Sequence, residues 1–198
     1  MKRAIVYYAS GAREGRDRIR RADLTIVAVD NLDDLPYIAR GLADDGVQLI
    51  ELCGGISPRW RAVVAAAAGS RVRVSSVTFG VESLGAAHRF REASIAGRPP
   101  DGAFLLLEPG ADPVHDRFVP AFPPQHLIFV PVPDERVAAS VAMALVEDGV
   151  GLIELYGGFT SAGAAAVIDA VDGRAAVGVG AVTIDAILAQ TGAQGYVH

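Results

Sequence analysis

The sequence contains very few of the residues that carry covalent and multi-thiolate chemistry in proteins. Among 198 residues it has one cysteine, Cys53, and one lysine, Lys2. A single cysteine excludes an intrachain disulfide and any site built from several thiolates, and it favours a reducing, cytoplasmic compartment. A lone lysine near the start of the chain gives no P-loop lysine and no credible Schiff base.

Other absences narrow the function further. The net charge of −5 argues against nucleic acid as a partner, and the basic run from Arg13 to Arg21 is interpreted as a solvated face beside a short helix. No apolar run is long enough to span a bilayer, and no hydrophobic segment of signal-peptide length precedes the first strand. The G-x-G-x-x-G and G-x-S-x-G patterns are missing, which disfavours nicotinamide-dependent hydride transfer and triad hydrolysis.

What the sequence does contain is an internal repeat. The segment DDGVQLIELCGG, residues 44–55, recurs as EDGVGLIELYGG, residues 147–158, with nine identities in twelve positions. The similarity extends upstream and downstream, where Val77 and Thr78 are paired with Val182 and Thr183. The chain therefore divides into a first β-α repeat, 1–96, a Gly- and Pro-containing linker, 97–101, and a second repeat, 102–198, which together form one structural domain.

Each repeat alternates short apolar runs with helical stripes, the pattern of β-α units around a parallel sheet. The runs are nearly all apolar, because both faces of such strands are covered. The predicted strands are Ala4–Tyr8, Leu24–Val29, Val47–Leu52, Val72–Phe79, Ala103–Glu108, Leu127–Val130, Val150–Leu155 and Ala176–Thr183.

Helix signals lie between these strands. Asp134 is predicted to cap a helix that buries Val137, Val141 and Leu145, and Ser57 is predicted to cap another. The first crossover of each half is proline-rich in the second copy, so at most a turn or two of helix is expected there.

Eight strands in two equivalent halves are compatible with two architectures. The first, which we favour, is a compact (βα)8 barrel built from two half-barrels. The second is a pair of open, doubly wound lobes related by a pseudo-twofold axis. Both architectures bind ligands at the carboxyl ends of their strands.

The repeated glutamates, Glu51 and Glu154, are the first candidates for catalysis because each lies near the carboxyl end of an apolar strand. A carboxylate in such a site must be hydrogen-bonded, paired, metal-bound or protonated. We therefore predict an acid/base pair facing one cavity, with a divalent metal or a purely structural lock as alternatives. No ligand spacing such as H-E-x-x-H occurs, so no metal ligands and no cofactor are assigned.

The paired glycines that follow each glutamate strand suggest an anion site. Glycine lets backbone N–H groups approach a ligand, and a helix start beside them favours negative charge. A small anionic metabolite is the expected partner. The glycines concerned are Gly54, Gly55, Gly157 and Gly158.

Four further residues are candidates because the two copies differ at them. Cys53 is aligned with Tyr156, which suggests a nucleophile in one copy and a proton donor in the other, although a lone cysteine is also a common core residue. Glu108 and His115 occur in the second copy alone and are predicted to complete a set with Glu154 if their loop covers the strand ends. Asp17–Arg18 and Asp116–Arg117 are interpreted as structural ion pairs.

The repeat unit, with D/E-D-G-V-x-L-I-E-L-x-G-G at its centre, resembles a family of small uncharacterised bacterial proteins of about one repeat's length, a domain of unknown function. The resemblance covers both halves. It implies that single-repeat relatives assemble as dimers equivalent to this chain, and it implies no reaction or substrate. Cys53 fits the family pattern better than Tyr156 does.

Two functional hypotheses follow. The leading one is a small-metabolite enzyme of the isomerase, lyase or cyclase type that uses cofactor-independent acid/base chemistry at the strand ends. The rival is a non-catalytic ligand-binding or assembly protein in which the repeated glutamates only stabilise the fold. A homo-oligomer is compatible with either hypothesis.

Overall fold

A computed structural model describes residues 1–13, 17–122 and 126–182. The chain forms two compact units. Unit 1 contains Met1–Val77 and resumes at Ala181, and unit 2 contains Thr78–Gly180. The sequence repeats and the compact units therefore divide the chain at different places.

In its described residues, unit 1 has five strands and two α-helices. In chain order they are β1 Arg3–Tyr8, β2 Arg18–Arg21, β3 Leu24–Val29, α1 Leu35–Asp44, β4 Leu49–Leu52, α2 Trp60–Ala68 and β5 Arg73–Phe79.

Unit 2 begins with a helix that the sequence assigns to the first repeat. In chain order its elements are α3 Leu84–Ile95, β6 Gly102–Leu107, β7 Leu127–Val132, α4 Glu135–Glu147, β8 Leu152–Tyr156, α5 Ser161–Val171 and β9 Ala176–Val182. Helix α3 packs against β8, and the hydroxyl of Ser83 just before it bonds both the N–H and the C=O of Val177 in β9.

All eight predicted strands are present, but not in the order of a barrel. The strands run β2-β3-β1-β4-β5 in unit 1 and β9-β8-β6-β7 in unit 2, and all neighbours are parallel except the β2–β3 pair. In both units the first predicted strand lies between the second and the third. This order corrects the sequential order expected of half-barrels and agrees with the doubly wound alternative.

The cause of this order is the first crossover of each repeat. In the described residues it carries no helix, and it returns the chain beside β1 or β6 on the side away from β4 or β8. The sheet consequently grows in both directions from its first strand. The basic run predicted to flank a short helix instead contains β2, an antiparallel edge strand whose arginines lie in a partly exposed position. In the second copy its counterpart is a single bridge between Phe118 and Phe129.

The helix predictions are correct in position and wrong in two details. Asp134 caps α4 by accepting a hydrogen bond from the N–H of Val137 at 2.8 Å. The buried residues of α4 are Ala138, Ala142 and Leu145, so its buried stripe is centred one residue from the predicted one. Helix α2 starts at Trp60 rather than after Ser57, whose carbonyl accepts from the Trp60 N–H in a preceding turn.

One face of the unit 2 sheet packs against α4 and α5. The apolar cluster there includes Leu105, Val130, Ile153 and Val177. Because side chains alternate along a strand, Glu154 and its strand neighbours at 152 and 156 lie on the opposite face. The same alternation in unit 1 sets Glu51 on the face opposite Val6 and Leu52.

The strand registers also correct the sequence alignment of the last strand. Glu51 lies opposite Ser75, and Glu154 lies opposite Gly178. Position 75 is therefore equivalent to 178, and the pairing of Val77 with Val182 is displaced by two residues. Thr183, the end of the predicted strand, lies outside the described residues.

Candidate active site at the ends of β1 and β4

Glu51 lies on β4 between Ile5 of β1 and Ser75 of β5. Its side chain is 4 % exposed. The connection order of this α/β sheet reverses between the neighbouring strands β1 and β4. Ligands of such sheets bind outside the carboxyl ends of the strands at this point. The register thus brings Glu51 to the position in unit 1 where the fold favours a ligand.

Tyr7 shares the face of Glu51 and lies at the carboxyl end of the adjacent strand. Its ring is fully buried. Burial raises the pKa of the Tyr7 phenol far above its ordinary value, and the charges of Asp17 and Cys53 raise that pKa further. Tyr7 therefore stays protonated throughout the physiological range, and its hydroxyl can serve as a hydrogen-bond donor. The sequence analysis did not include Tyr7, because it reads as part of an apolar strand.

Asp17 closes the loop that follows β1. Its carboxylate accepts hydrogen bonds from the Arg13 N–H at 2.6 Å and from the Arg13 guanidinium at 3.4 Å. Its own carbonyl accepts from the N–H of Ala28 at 3.0 Å, and its side chain is buried. The predicted ion pair with Arg18 is wrong, since Arg18 lies 3.9 Å from Asp45 instead. Asp17 is thus a buried carboxylate next to Tyr7.

Cys53 follows β4 directly, and its sulfur lies close to Gly55. Its thiol accepts a hydrogen bond from the Tyr8 N–H at 3.4 Å, and its own N–H donates to the Val6 carbonyl at 3.0 Å. A Cβ atom added at Gly55 would lie 3.4 Å from the sulfur and would meet no backbone. The buried Cys53 thiol is therefore covered at this point only by Gly55, which is exposed and has no side chain.

The glycine pairs differ between the two copies. Gly157 and Gly158 have φ values of 97° and 86°, whereas Gly54 and Gly55 do not have positive φ. Gly54 and Gly55 also precede the start of α2 by several residues, so they are not next to a helix start as predicted.

In the second copy the helix start is already occupied by a carboxylate. Thr160 caps α5 through its hydroxyl, which accepts from the Gly163 N–H at 3.1 Å. The Glu135 carboxylate accepts hydrogen bonds from both the N–H and the hydroxyl of Thr160. A side chain at Gly163 would collide with that carboxylate. An internal anion thus fills the position predicted for a ligand.

Glu154 is held by an aromatic enclosure. The hydroxyl of Tyr156 donates a hydrogen bond to the Glu154 carboxylate, and both side chains are buried. The Phe104 ring lies 4.9 Å from that of Tyr156 and 5.1 Å from that of Phe129, and Phe118 stacks on Phe129. The Glu154–Tyr156 pair is therefore sealed within unit 2.

His115 pairs with Asp112 at the surface and not with the buried Glu154. His115 is 82 % exposed, and its Nδ1 lies 2.9 Å from the Asp112 carboxylate. The hydrogen bond from His115 and two backbone N–H groups lowers the pKa of Asp112 to about 2. Glu108 follows β6 in a half-buried position, where its N–H donates to the Val132 carbonyl.

The second predicted ion pair, Asp116–Arg117, is also absent. Asp116 accepts a hydrogen bond from the Asp112 N–H, and Arg117 donates to the Pro113 carbonyl.

The described residues contain neither a metal-ligand cluster nor a membrane-spanning helix. In residues 1–13, 17–122 and 126–182, no three His, Cys, Asp or Glu side chains converge as ligands of one metal ion. Within the same ranges, no helix has the length and apolar character needed to cross a bilayer.

Comparison with known families gives one informative match. The model of a family of unknown function, DUF6506, matches residues 1–92 and again residues 101–194. The chain belongs to the DUF6506 family. It carries two tandem copies of the family unit, which confirms the internal repeat and agrees with the resemblance to an uncharacterised family. No curated protein matches the chain.

Solved structures resemble the chain only weakly. An ABC transporter solute-binding protein from Aeropyrum pernix K1 is 11% identical with a TM-score of 0.29, over 88% of this chain and 60% of that one. An ABC domain in complex with L-Trp from Streptococcus pneumonia is 12% identical with a TM-score of 0.27, over 87% and 71%. A protein from Mycobacterium smegmatis is 11% identical with a TM-score of 0.28, over 86% and 68%. This DUF6506 chain thus spans 60% of the length of the first of these proteins.

Proposed function

We propose that this DUF6506 protein is a small-metabolite enzyme that moves protons without an organic cofactor, in a reaction of the isomerase, lyase or cyclase type. Its active site is the unit 1 cluster of Tyr7, Asp17, Glu51 and Cys53. The observation that carries the proposal is the position of this cluster at the carboxyl ends of β1 and β4, the switch point of the doubly wound sheet. Side chains that can exchange protons gather where this fold binds ligands.

The roles follow from the charge state each group favours. Glu51 is the proton acceptor, because a carboxylate at a strand end beside a ligand site can abstract a proton once substrate displaces water. Tyr7 is the hydrogen-bond donor to the substrate oxygen on which negative charge develops, because burial and two neighbouring charges raise the pKa of its phenol and keep it protonated. Asp17 positions the loop after β1 against Tyr7. Cys53 either lines the site with its polarizable sulfur or assists the reaction with its thiol.

The substrate proposed for this site is a small metabolite with an anionic group. The Gly54–Gly55 turn lies next to Cys53 and is the candidate binding element for that group. A reducing cytoplasm is the compartment proposed, because Cys53 is a free thiol. A homo-oligomer is proposed only as an assembly compatible with this site.

For the second copy the structural hypothesis is the better supported one. Glu154 bonds Tyr156, and aromatic rings enclose the pair. We propose that this glutamate stabilises unit 2 and takes no part in chemistry. The duplicated glutamate then has one catalytic and one structural copy.

The test is exchange of substrate hydrogen with solvent. The purified full chain is incubated in D2O with a panel of small 2-oxo, 2-hydroxy and enolisable acids, and C–H to C–D exchange is followed by NMR. We expect at least one acid to exchange with the wild type. Glu51→Gln should slow that exchange by about 10²–10⁴-fold, the usual contribution of a general base.

Glu154→Gln is the matched control, because it changes the same residue type at the equivalent register. The exchange rate per folded molecule should be unchanged in this variant. Circular dichroism verifies that both variants fold. Exchange at the wild-type rate in Glu51→Gln, or no exchange of any acid by the wild type, would count against the proposal.

A further inference from the structure

A groove of about 430 Å³ lies at the amino-terminal edge of the unit 2 strands. It is at the opposite end of β8 from Tyr156, and it is bordered by α3, the end of α4 and the residues before β8. Its apolar lining consists of Ala86, Phe90, Ala93, Pro100, Val146 and Val150. The volume is in the range of pockets that hold small molecules.

The floor of the groove depends on a glycine. A Cβ atom at Gly151 would lie 3.3 Å from Pro100 and 3.4 Å from Phe90. Because Gly151 has no side chain, the proline and the phenyl ring can approach the strand start and form a continuous apolar surface. This surface is half-buried rather than covered, since Phe90 and Pro100 retain partial exposure.

The polar part of the lining is positively charged. Arg89 and Arg174 contribute two guanidinium groups, and the lining contains no aspartate or glutamate. Arg174 donates to the Val171 and Ala170 carbonyls at 3.0 Å, and Arg89 donates to the Gly173 carbonyl at 3.5 Å. Among the described residues neither arginine forms a salt bridge.

These carbonyl contacts hold the guanidinium groups at the carboxyl end of α5. A guanidinium group has five N–H donors, and the carbonyl contacts use only some of them. The other donors can therefore bond an anion. In a chain with a net charge of −5, a lining with two cations and no acid is a local reversal of charge. It complements an anion whose remaining atoms are apolar.

We propose that this groove binds a small carboxylic acid with a hydrocarbon body. The carboxylate bonds the guanidinium groups of Arg89 and Arg174, and the hydrocarbon lies between Phe90, Ala93 and Val146. Charge-assisted hydrogen bonds fix the orientation, and burial of the apolar body supplies affinity. The site is separate from the proposed active site, which lies in unit 1, so each can fail without the other.

The test uses octanoate as probe and isothermal titration calorimetry of the full chain as readout. Octanol supplies the same body without the charge, and acetate supplies the charge without the body. We expect octanoate to bind at least tenfold more tightly than either comparator. No octanoate binding at millimolar concentration, or equal affinity for octanol, overturns the proposal.

Two variants and one control localise the binding. Arg89→Gln should weaken octanoate at least tenfold and leave octanol binding unchanged, which also shows that the groove remains folded. Ala93→Phe fills the groove and should abolish binding of both, with an unchanged circular dichroism spectrum. The control is Arg91→Gln, because Arg91 is on the same helix but pairs with Glu92. An equal loss of affinity in Arg91→Gln would assign the effect to net charge and refute the site.

Discussion

The two copies of the repeat hold the same glutamate in the same register and surround it with different side chains. Glu51 has Ile5 beside it, and Glu154 has Phe104 at the equivalent position. In the next row of the sheet Tyr7 lies beside Cys53 in the first copy, and Leu106 lies beside Tyr156 in the second. Each copy therefore has one phenol near its glutamate, on β1 in unit 1 and on β8 in unit 2.

This difference supports the proposed division of the duplicated site between chemistry in the first copy and stability in the second. The second copy combines its phenol with three phenylalanine rings, and its glutamate forms a closed pair. The first copy combines its phenol with a thiol and the buried carboxylate of Asp17. Apolar enclosure favours a fixed structure, whereas several titratable groups at one strand end favour proton transfer.

The largest effect should come from opening the aromatic enclosure of the second copy. Phe104→Ala removes the ring that contacts both Phe129 and Tyr156, and the cavity left in a dense core should lower the free energy of unfolding by about 3–5 kcal/mol. Urea unfolding of the full chain measures this loss. Ile5→Val, at the equivalent position of unit 1, is the control and should cost only about 0.5–1.5 kcal/mol. Similar losses in both variants would contradict the enclosure.

A second prediction converts the first copy toward the second. Cys53→Tyr alone should overpack unit 1 beside Tyr7 and cost about 1–3 kcal/mol. Adding Tyr7→Leu reproduces the Leu106–Tyr156 row and should recover part of that stability, so the double-mutant cycle should show favourable coupling of about 0.5–3 kcal/mol. If the losses of unfolding free energy from the two substitutions simply add, the Tyr7–Cys53 pair cannot be replaced by the Leu106–Tyr156 type of pair.

A third prediction concerns how the free energy of unfolding depends on pH through Tyr7 of the first copy. The pKa of Tyr7 is raised in the folded chain above its unfolded value of about 10. Unfolding then releases a proton above pH 10, so this residue stabilises the fold below that pH and the stabilisation is lost as pH rises toward the folded pKa. The free energy of unfolding should fall by about 1.4 kcal/mol per pH unit from this group alone.

Tyr7→Phe is the matched variant for the pH experiment. Its unfolding free energy should decline less steeply than that of the wild type above pH 10, with the slopes compared by urea unfolding. Parallel slopes would show that Tyr7 ionises as readily in the folded state as in the unfolded state.

The smallest effect concerns the loops after β1 and β6. In both loops a backbone N–H donates to an aspartate four residues later, from Arg13 to Asp17 and from Asp112 to Asp116. Only the second loop adds a histidine, whose hydrogen bond to Asp112 lowers the pKa of that carboxyl to about 2. His115→Ala should raise this pKa toward its ordinary value in an NMR titration, and it should lower the midpoint of thermal unfolding at pH 7 only slightly, because both side chains are exposed and solvent screens their interaction. An unchanged pKa would show that the backbone N–H groups alone cause the shift.

The strands could be predicted from the sequence because their physical signal is strong. Residues 4–8 and 103–107 are apolar throughout, as strands covered on both faces must be. The repeat of Glu51 as Glu154 could also be read directly, since the flanking letters are nearly identical.

The order of the strands could not be predicted, because β-α periodicity is the same in a barrel and in a doubly wound sheet. The deciding element is the first crossover, where Arg18–Arg21 form an edge strand rather than a solvated helix flank. Charged residues on an edge strand carry little periodic signal.

Tyr7 and Asp17 were missed for a related reason. A tyrosine in an apolar strand reads as core, and Asp17 beside Arg18 reads as an ion pair. Only the register of β1 against β4 and the loop that closes on Arg13 bring these two residues to the glutamate.

The discontinuity of unit 1 also bears on how the chain folds during its synthesis. Unit 2 is one continuous segment, Thr78–Gly180. Unit 1 begins with Met1 but also requires Ala181, whose carbonyl accepts a hydrogen bond from Arg61 at 3.0 Å. As residues leave the ribosome in order, domains fold as their parts become available. Unit 1 is therefore completed only after unit 2 has emerged, although the residues of the proposed catalytic cluster are synthesised before unit 2.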